Sequence, residues 1–401
     1  MKQFDIPSFY RSPIISRIKA KRKEEDRSKK DFEPTELDFG TVKFYIARHF
    51  GFCYGVENAI EIVYRTIAEN KGKKIYLLSE MIHNPHVNQD LRENGIQFIQ
   101  DTLGKQLISW DTISNDDIVL IPAFGTTVEI ENILKEKGLE IKKYDTTCPF
   151  VERVWKKSTK LGASAHTIIV HGKEKHEETR ATFSHSKETG PAIIIENMDE
   201  AVELASFIRQ DSSDNFFKRF EGRYSGGFDP DVDLRKLGVV NQTTILASET
   251  QAIADFLKKV VEEIHGEGAF ADTRDTLCYA TLDNQNAVYG MLEKEADFAI
   301  VVGGYNSSNT SHLVELCEQH LKTYYISSAD KITEKSAINH YNYHKKREEE
   351  TRDFLGTGKS TILITSGASC PDAMVDEVMQ RIVKLKSSQI SIDEVLTSAG
   401  Y

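Results

Sequence analysis

The stretch Val42-Lys43-Phe44-Tyr45-Ile46-Ala47, then Arg48-His49-Phe50-Gly51-Phe52-Cys53, then apolar residues at Val56, Ala59, Ile60, Val63 and Ile67, decides the fold class. The first six residues are a β-rich run. The last set has the spacing of one helix face. Between them lies a glycine-containing loop that ends on a cysteine. The same strand–loop–helix order recurs along the chain. Strands are expected at 74–78, 118–122, 166–170, 192–196, 237–240, 298–302, 323–326 and 360–365, with helices between most of them. Such alternation predicts an α/β protein with mostly parallel sheets. In these sheets ligands bind beyond the carboxyl ends of the strands. Here those ends carry Cys, His, Ser, Thr, Asn and Gly. Such residues also cap helices and make turns, so no single loop decides a function.

The chain has 401 residues, enough for two to four domains. The sequence suggests a polar arm over 1–40 and three α/β segments over 41–147, 148–275 and 276–401. Residues 209–238, which include Ser212-Ser213-Asp214 and Gly226-Gly227-Phe228-Asp229-Pro230, look like an inserted surface loop or short helices. The charge run 345–352 reads as one solvated helix face. The arm reads as solvated and poorly ordered.

Acids outnumber bases, 62 to 51, for a net charge of −11. Nucleic acid is therefore not an expected partner. No apolar run is long enough to span a bilayer, so no membrane partner is expected either. The first residues have no apolar signal core, and the basic stretch 17–23 runs straight into Glu24, Glu25 and Asp26. A cytoplasmic location is the expectation. The five cysteines, Cys53, Cys148, Cys278, Cys317 and Cys370, contain no Cys-x-x-Cys pair, which argues against disulfides and for a reducing compartment.

Cys53, Cys148 and Cys278 fall roughly one per α/β segment. Thiolates converging from three segments would suit a zinc ion or an iron–sulfur cluster, although buried cysteines also serve as small hydrophobes. Cys317 lies on an apolar helical face with Leu313, Val314 and Leu316 and reads as core. His176 and Glu178 offer a cation and a proton donor near the loop His171-Gly172. The loop Asn306-Ser307-Ser308-Asn309 opens a helix, where hydroxyls, an amide and free N–H groups make an anion site. Ser366-Gly367-Ala368-Ser369 repeats that logic. There is no Walker loop and no strand-linked G-x-G-x-x-G, so a nucleotide fold is not indicated.

Taken together, the motifs resemble one family, the 4-hydroxy-3-methylbut-2-enyl diphosphate reductases, also called LytB or IspH. The carrying segments are Gly51-Phe52-Cys53-Tyr54-Gly55-Val56, His83-Asn84-Pro85, Asp145-Thr146-Thr147-Cys148-Pro149 and His176-Glu177-Glu178-Thr179, then Asn241-Gln242-Thr243-Thr244, Cys278-Tyr279-Ala280-Thr281, Asn306-Ser307-Ser308-Asn309-Thr310-Ser311 and Ser366-Gly367-Ala368-Ser369. They span about residues 44 to 379. The polar arm and the Gly227-Phe228-Asp229-Pro230 insertion resemble the longer branch found in plants, cyanobacteria and some other bacteria.

The resemblance implies a three-lobed, pseudo-threefold α/β fold around a central four-iron, four-sulfur cluster. Cys53, Cys148 and Cys278 would bind three irons, and the fourth would stay open for substrate. The implied reaction is reductive removal of the substrate hydroxyl, giving isopentenyl and dimethylallyl diphosphate, the last step of the non-mevalonate isoprenoid pathway. By motif position, Glu178 would be the proton donor and Thr243 a hydroxyl steadying that proton. His83, His176, Ser307, Ser308, Asn309 and Ser369 would bind the diphosphate, with Thr281 beside the substrate. The implied electron donor is a ferredoxin or flavodoxin, and a plant or algal source would place the protein in the plastid stroma. Two positions depart from the pattern. Phe124 stands where many bacterial members carry a histidine, so one diphosphate donor is missing or is replaced by Thr126 or Thr127, and Cys370 is a less usual neighbour for Ser369. A quinolinate synthase-like dehydratase would also hold a cluster with three cysteines, but lacks the His176/Glu178 pair and the 306–309 loop. A redox carrier or sensor would usually cluster its cysteines.

Overall fold

The computed structural model describes residues 4–28, 30–211, 215–271, 276–334 and 336–401. They form two compact units, one drawn from Met1–Glu57, His83–Val87 and Tyr279–Tyr401, the other from Asn58–Ile82 and Asn88–Cys278. Among the described residues, three small sheets and one two-stranded hairpin carry the strands, and the sheets are mostly parallel.

The first unit holds a five-stranded sheet. Its order in space is Thr35–Asp38, Val42–Ile46, Ser360–Ser366, Phe298–Val302 and Thr323–Ile326. Only the first pair is antiparallel. The run Phe298-Ala299-Ile300-Val301-Val302 is buried at every position. That is the pattern of a central parallel strand covered on both faces. Phe44, Ile46, Ile300, Val302, Ile362 and Ile364 pack with Val378 and Ile382 of helix Asp372–Leu385 in one core.

Three expectations are corrected here. Val42–Ile46 does not join the strands that follow it in sequence; it pairs in parallel with Ser360–Ser366, with Ile46 opposite Ile364. Side-chain periodicity marks a buried strand but does not name its neighbour. Nor is the N-terminal stretch solvated. Ser12 caps helix Pro13–Glu25 by accepting from the Ile15 N–H at 3.1 Å, and Pro13 occupies the first turn, where its missing N–H costs nothing. Ile15 and Ile18 of this helix are fully buried in the core. The stripe is only two residues wide, so the charges around it hid it. The charge run, finally, is a strand: Arg347–Thr351 lies antiparallel to Ile338–Asn342. Cross-strand polar contacts hold the hairpin, such as Asn342 Nδ2 donating to Glu349 Oε2 at 3.1 Å.

The second unit holds two parallel sheets. One runs Gln97–Phe98, Ile75–Leu77, Ile118–Leu120. The other runs Ala192–Ile195, Thr167–His171, Leu237–Asn241, Phe270–Ala271. The insertion does contain short helices, Phe216–Arg219 and Pro230–Asp233. It is not merely a surface loop, because Phe216, Phe220, Phe228 and Leu234 enter the core of this sheet. Phe216 and Phe228 stack with ring centres 5.3 Å apart. Residues 212–214 lie outside the described residues. No helix among the described residues is long and apolar enough to cross a membrane.

The buried stripe of the N-terminal helix is testable. Ile18→Ala should lower the unfolding free energy by about 2–5 kcal/mol in urea titrations, the usual cost of an emptied core site. A solvated arm would give no measurable change.

Candidate functional site

The groups singled out by the sequence cluster separately in each unit. In the first unit, Ser307 caps helix Ser308–Glu318, its Oγ accepting from the Thr310 N–H at 3.3 Å. Thr310 Oγ1 donates to the same Ser307 Oγ at 2.9 Å. Ser369 Oγ donates to the His83 carbonyl at 3.2 Å and lies 3.4 Å from Ser307 Oγ. Asn309 Oδ1 accepts from the Ala368 N–H at 2.9 Å and from Asn284 Nδ2 at 3.4 Å. Gly304 is required by close approach, since a Cβ there would collide with the His83 carbonyl. His83, Ser307, Ser308, Asn309, Ser369 and Thr281 are all buried. Ser308 Oγ and Asn309 Nδ2 are buried without a hydrogen-bond partner. Leaving such groups unsatisfied is costly. At a helix N-terminus, they and the free N–H groups are suited to receiving an anion.

In the second unit, His176 caps helix Glu177–Lys187, its Nδ1 accepting from the Glu178 N–H at 3.2 Å. The Glu178 side chain is 1% exposed. Its Oε1 accepts from the Thr243 N–H at 2.5 Å and its Oε2 from Thr243 Oγ1 at 3.0 Å. Phe124 meets the His176 ring edge-to-face at 5.7 Å. Thr127 Oγ1 caps helix Val128–Glu136 by accepting the Ile130 N–H, and the Thr126 carbonyl lies 3.1 Å from His185 Nε2.

The cysteines complete these clusters. Each precedes a helix: Cys53 before Tyr54–Glu69, Cys148 before Pro149–Ala163, Cys278 before Tyr279–Leu292. A helix N-terminus favours thiolate. In the first unit the Cys53 N–H donates to the Ala368 carbonyl at 3.3 Å, one residue from Ser369. In the second the Cys278 N–H donates to the Thr243 carbonyl at 3.4 Å, and the Cys148 N–H to the Ala123 carbonyl at 3.0 Å, beside Phe124. Burial pushes the Cys53 thiol up, opposed by the backbone N–H groups of Val56 and Gly55. Cys317 and Cys370 are fully buried. Burial pushes Cys317 up to about 12, and Cys370 up as well, as for core residues.

None of the five cysteines forms a disulfide. No three His, Cys, Asp or Glu side chains gather into a single-ion site among the described residues. Ligands to separate irons of a cluster stand farther apart than ligands to one ion. Three thiols, each preceding a helix, have the soft-donor chemistry that an iron–sulfur cluster takes.

Reading the sequence missed the residues that tie these loops together. Gln242 Oε1 accepts from Thr179 Oγ1 and from the Lys173 N–H, both at 3.1 Å, and Gln242 Nε2 donates to Thr244 Oγ1 at 2.7 Å. Ser79 Oγ donates to the buried Glu177 carboxylate. Gln242 sits inside a quoted motif, so its type and place were the available signal. Nothing in the sequence marks Ser79.

Small, mostly parallel sheets, a helix N-terminus with unpartnered buried polar groups, a buried carboxylate and cysteines that precede helices place the chain among α/β proteins. The family model "LytB protein" matches residues 44–383, and the chain belongs to that family. It is 38% identical to a 4-hydroxy-3-methylbut-2-enyl diphosphate reductase from a Synechococcus species, over 88% of each chain. The counterpart from Gloeobacter violaceus is 36% identical over 96% of this chain and 90% of its own. These relatives are cyanobacterial, in line with the expected branch. A solved structure of (E)-4-hydroxy-3-methyl-but-2-enyl diphosphate reductase, the terminal enzyme of the non-mevalonate pathway, superposes with a TM-score of 0.52 at 25% identity, over 85% of this chain and 99% of the other. A Plasmodium falciparum reductase structure shares the fold, with a TM-score of 0.63 at 23% identity, covering 87% and 89%.

The orphaned serine gives a test with two opposite signs. Ser308→Ala should leave the unfolding free energy unchanged or raise it by about 1 kcal/mol, because it removes a buried hydroxyl without a partner. The same change should weaken binding of inorganic diphosphate in calorimetric titration.

Proposed function

We propose that this chain reduces 4-hydroxy-3-methylbut-2-enyl diphosphate to isopentenyl and dimethylallyl diphosphate, with two electrons and two protons entering and one water leaving. The observation that carries this reading is the Glu178 carboxylate, buried and held by two donors of Thr243, the residue whose carbonyl accepts the Cys278 N–H.

Ser307, Ser308, Asn309 and Ser369 bind the diphosphate through hydroxyls, an amide and helix N–H groups, with His83 and His176 adding charge when protonated. Burial lets these contacts exclude water. Thr281 lies beside the rest of the substrate. Glu178 delivers the proton that turns the leaving hydroxyl into water, and Thr243 keeps the carboxyl aimed and returns a proton to it. Phe124 takes no charge; it fixes the His176 ring that a bacterial histidine would assist. Cys53, Cys148 and Cys278 hold a four-iron, four-sulfur cluster, which when bound supplies the electrons and a Lewis-acidic position for the hydroxyl oxygen. The electron donor is a ferredoxin or flavodoxin. With the chain at −11, an acidic carrier would have to use a local basic patch.

Two experiments test this. Glu178→Gln should bind substrate with near-normal affinity yet turn over about 10²–10⁴-fold more slowly in an anaerobic assay; near-normal turnover removes Glu178 from the chemistry. Serine at Cys53, Cys148 or Cys278 should abolish iron binding in anaerobically purified protein, whereas Cys317→Ser should keep it. An iron content that depends on Cys317 and not on Cys148 would overturn the ligand assignment.

A further inference from the structure

The N-terminal segment, which lies before the matched family region, grips the loop that carries Cys53 from both sides. Arg22, 4% exposed, lays its guanidinium across the end of strand Val42–Ile46. Its Nη1 donates to the carbonyls of Ala47 at 3.0 Å and Arg48 at 2.9 Å, and its Nη2 to that of Ile46 at 3.1 Å. Lys19 Nζ donates to the Phe50 carbonyl at 2.9 Å, pairs with Asp372 Oδ1 at 2.7 Å and lies 4.6 Å from the centre of the Phe50 ring. The residues flanking Cys53 are held by rings: Tyr10 meets Phe52 edge-to-face at 5.7 Å, and Phe4 meets Tyr54 at 5.0 Å. Gly51, at φ +78°, makes the turn beneath Lys19, where a Cβ would run into the Asp372 carboxylate. Helix Asp372–Leu385 anchors the grip again through Ser12 Oγ, which donates to Asp376 Oδ2 at 2.6 Å.

Four successive anchor points therefore fix a loop with no regular structure of its own. A buried arginine that spends its donors on three consecutive carbonyls is costly to desolvate, and burial lowers its pKa to about 10. That cost is met here by the carbonyls of Ile46, Ala47 and Arg48 and by Thr35 Oγ1. We infer that the segment from Phe4 to Arg22 is a clasp that positions Cys53 and slows loss of the metal group it holds, with Tyr10, Lys19 and Arg22 as positioning residues. This inference rests on the ligand role of Cys53 given above. With the residues on either side of Cys53 fixed, its side chain would have less freedom to leave a bound iron, so the group would be retained by preorganisation rather than by an added ligand.

The test uses the full-length holoprotein, purified without air, and measures iron release to a ferrous chelator by absorbance. Lys19→Met and Tyr10→Leu are compared with Arg17→Ala, a change on the same helix that removes exposed contacts to Asp393 and to the Tyr401 carbonyl. Lys19→Met and Tyr10→Leu should release iron about tenfold faster than the parent, the usual scale for groups supporting a metal ligand. Both should also change the line shape of the reduced-cluster paramagnetic resonance spectrum. Arg17→Ala should match the parent, and Lys19→Arg should restore most of the retention. Parent-like release and spectra in both variants would overturn the clasp. So would release that rises only in step with the fall in thermal midpoint, Arg17→Ala included. If the parent itself takes up no iron, the cluster reading fails beneath it, a result distinct from a parent that holds iron as firmly as its variants.

Discussion

The parallel pairing of Val42–Ile46 with Ser360–Ser366 is the constraint on which the first unit depends. It joins a strand near the start of the chain to one near its end. Because both strands run the same way, their carboxyl ends leave the sheet side by side. One opens into the Cys53 loop and the other into Gly367-Ala368-Ser369. The Cys53 N–H then reaches the Ala368 carbonyl, and the Ala368 N–H reaches Asn309. The Cys53 loop and the N-terminus of helix Ser308–Glu318 thus become neighbours through bonds to Ala368. Neither loop could hold this geometry alone, since each lacks regular hydrogen bonding within itself. Helix Pro13–Glu25 closes the arrangement from outside by burying Ile15 and Ile18 and bonding the loop carbonyls.

The second unit solves a different problem, the burial of charge. Glu178 is nearly inaccessible, and an uncompensated carboxylate there would be expensive. Two donors from one residue, Thr243, meet most of that demand. Gln242, next in the chain, ties the Lys173 loop to Thr179 and so fixes the helix that presents Glu178. In the first unit the balance is left open on purpose: Ser308 Oγ and Asn309 Nδ2 stay unsatisfied, a cost that a bound diphosphate would repay.

Phe124 shows how the family pattern bends without breaking. A histidine at that position would offer a donor. The phenyl ring offers an edge-to-face contact to His176 instead.

Most of the strand–loop–helix order could be read from the sequence, because apolar periodicity and residue chemistry are local properties. Motif order carried the family as well. Only the tertiary structure decided the rest. It moved Val42–Ile46 from the neighbouring segment to the C-terminal strand, since side-chain alternation states which face is buried but not which backbone lies alongside. Two buried isoleucines turned the N-terminal arm into a packed helix, a stripe too narrow to rise above its charged surroundings. The charge run became a strand because its partner, Ile338–Asn342, supplied polar groups opposite each glutamate that a local reading assigns to solvent. The sequence offered candidate groups by their chemistry; long-range backbone pairing decided which loops of each unit meet.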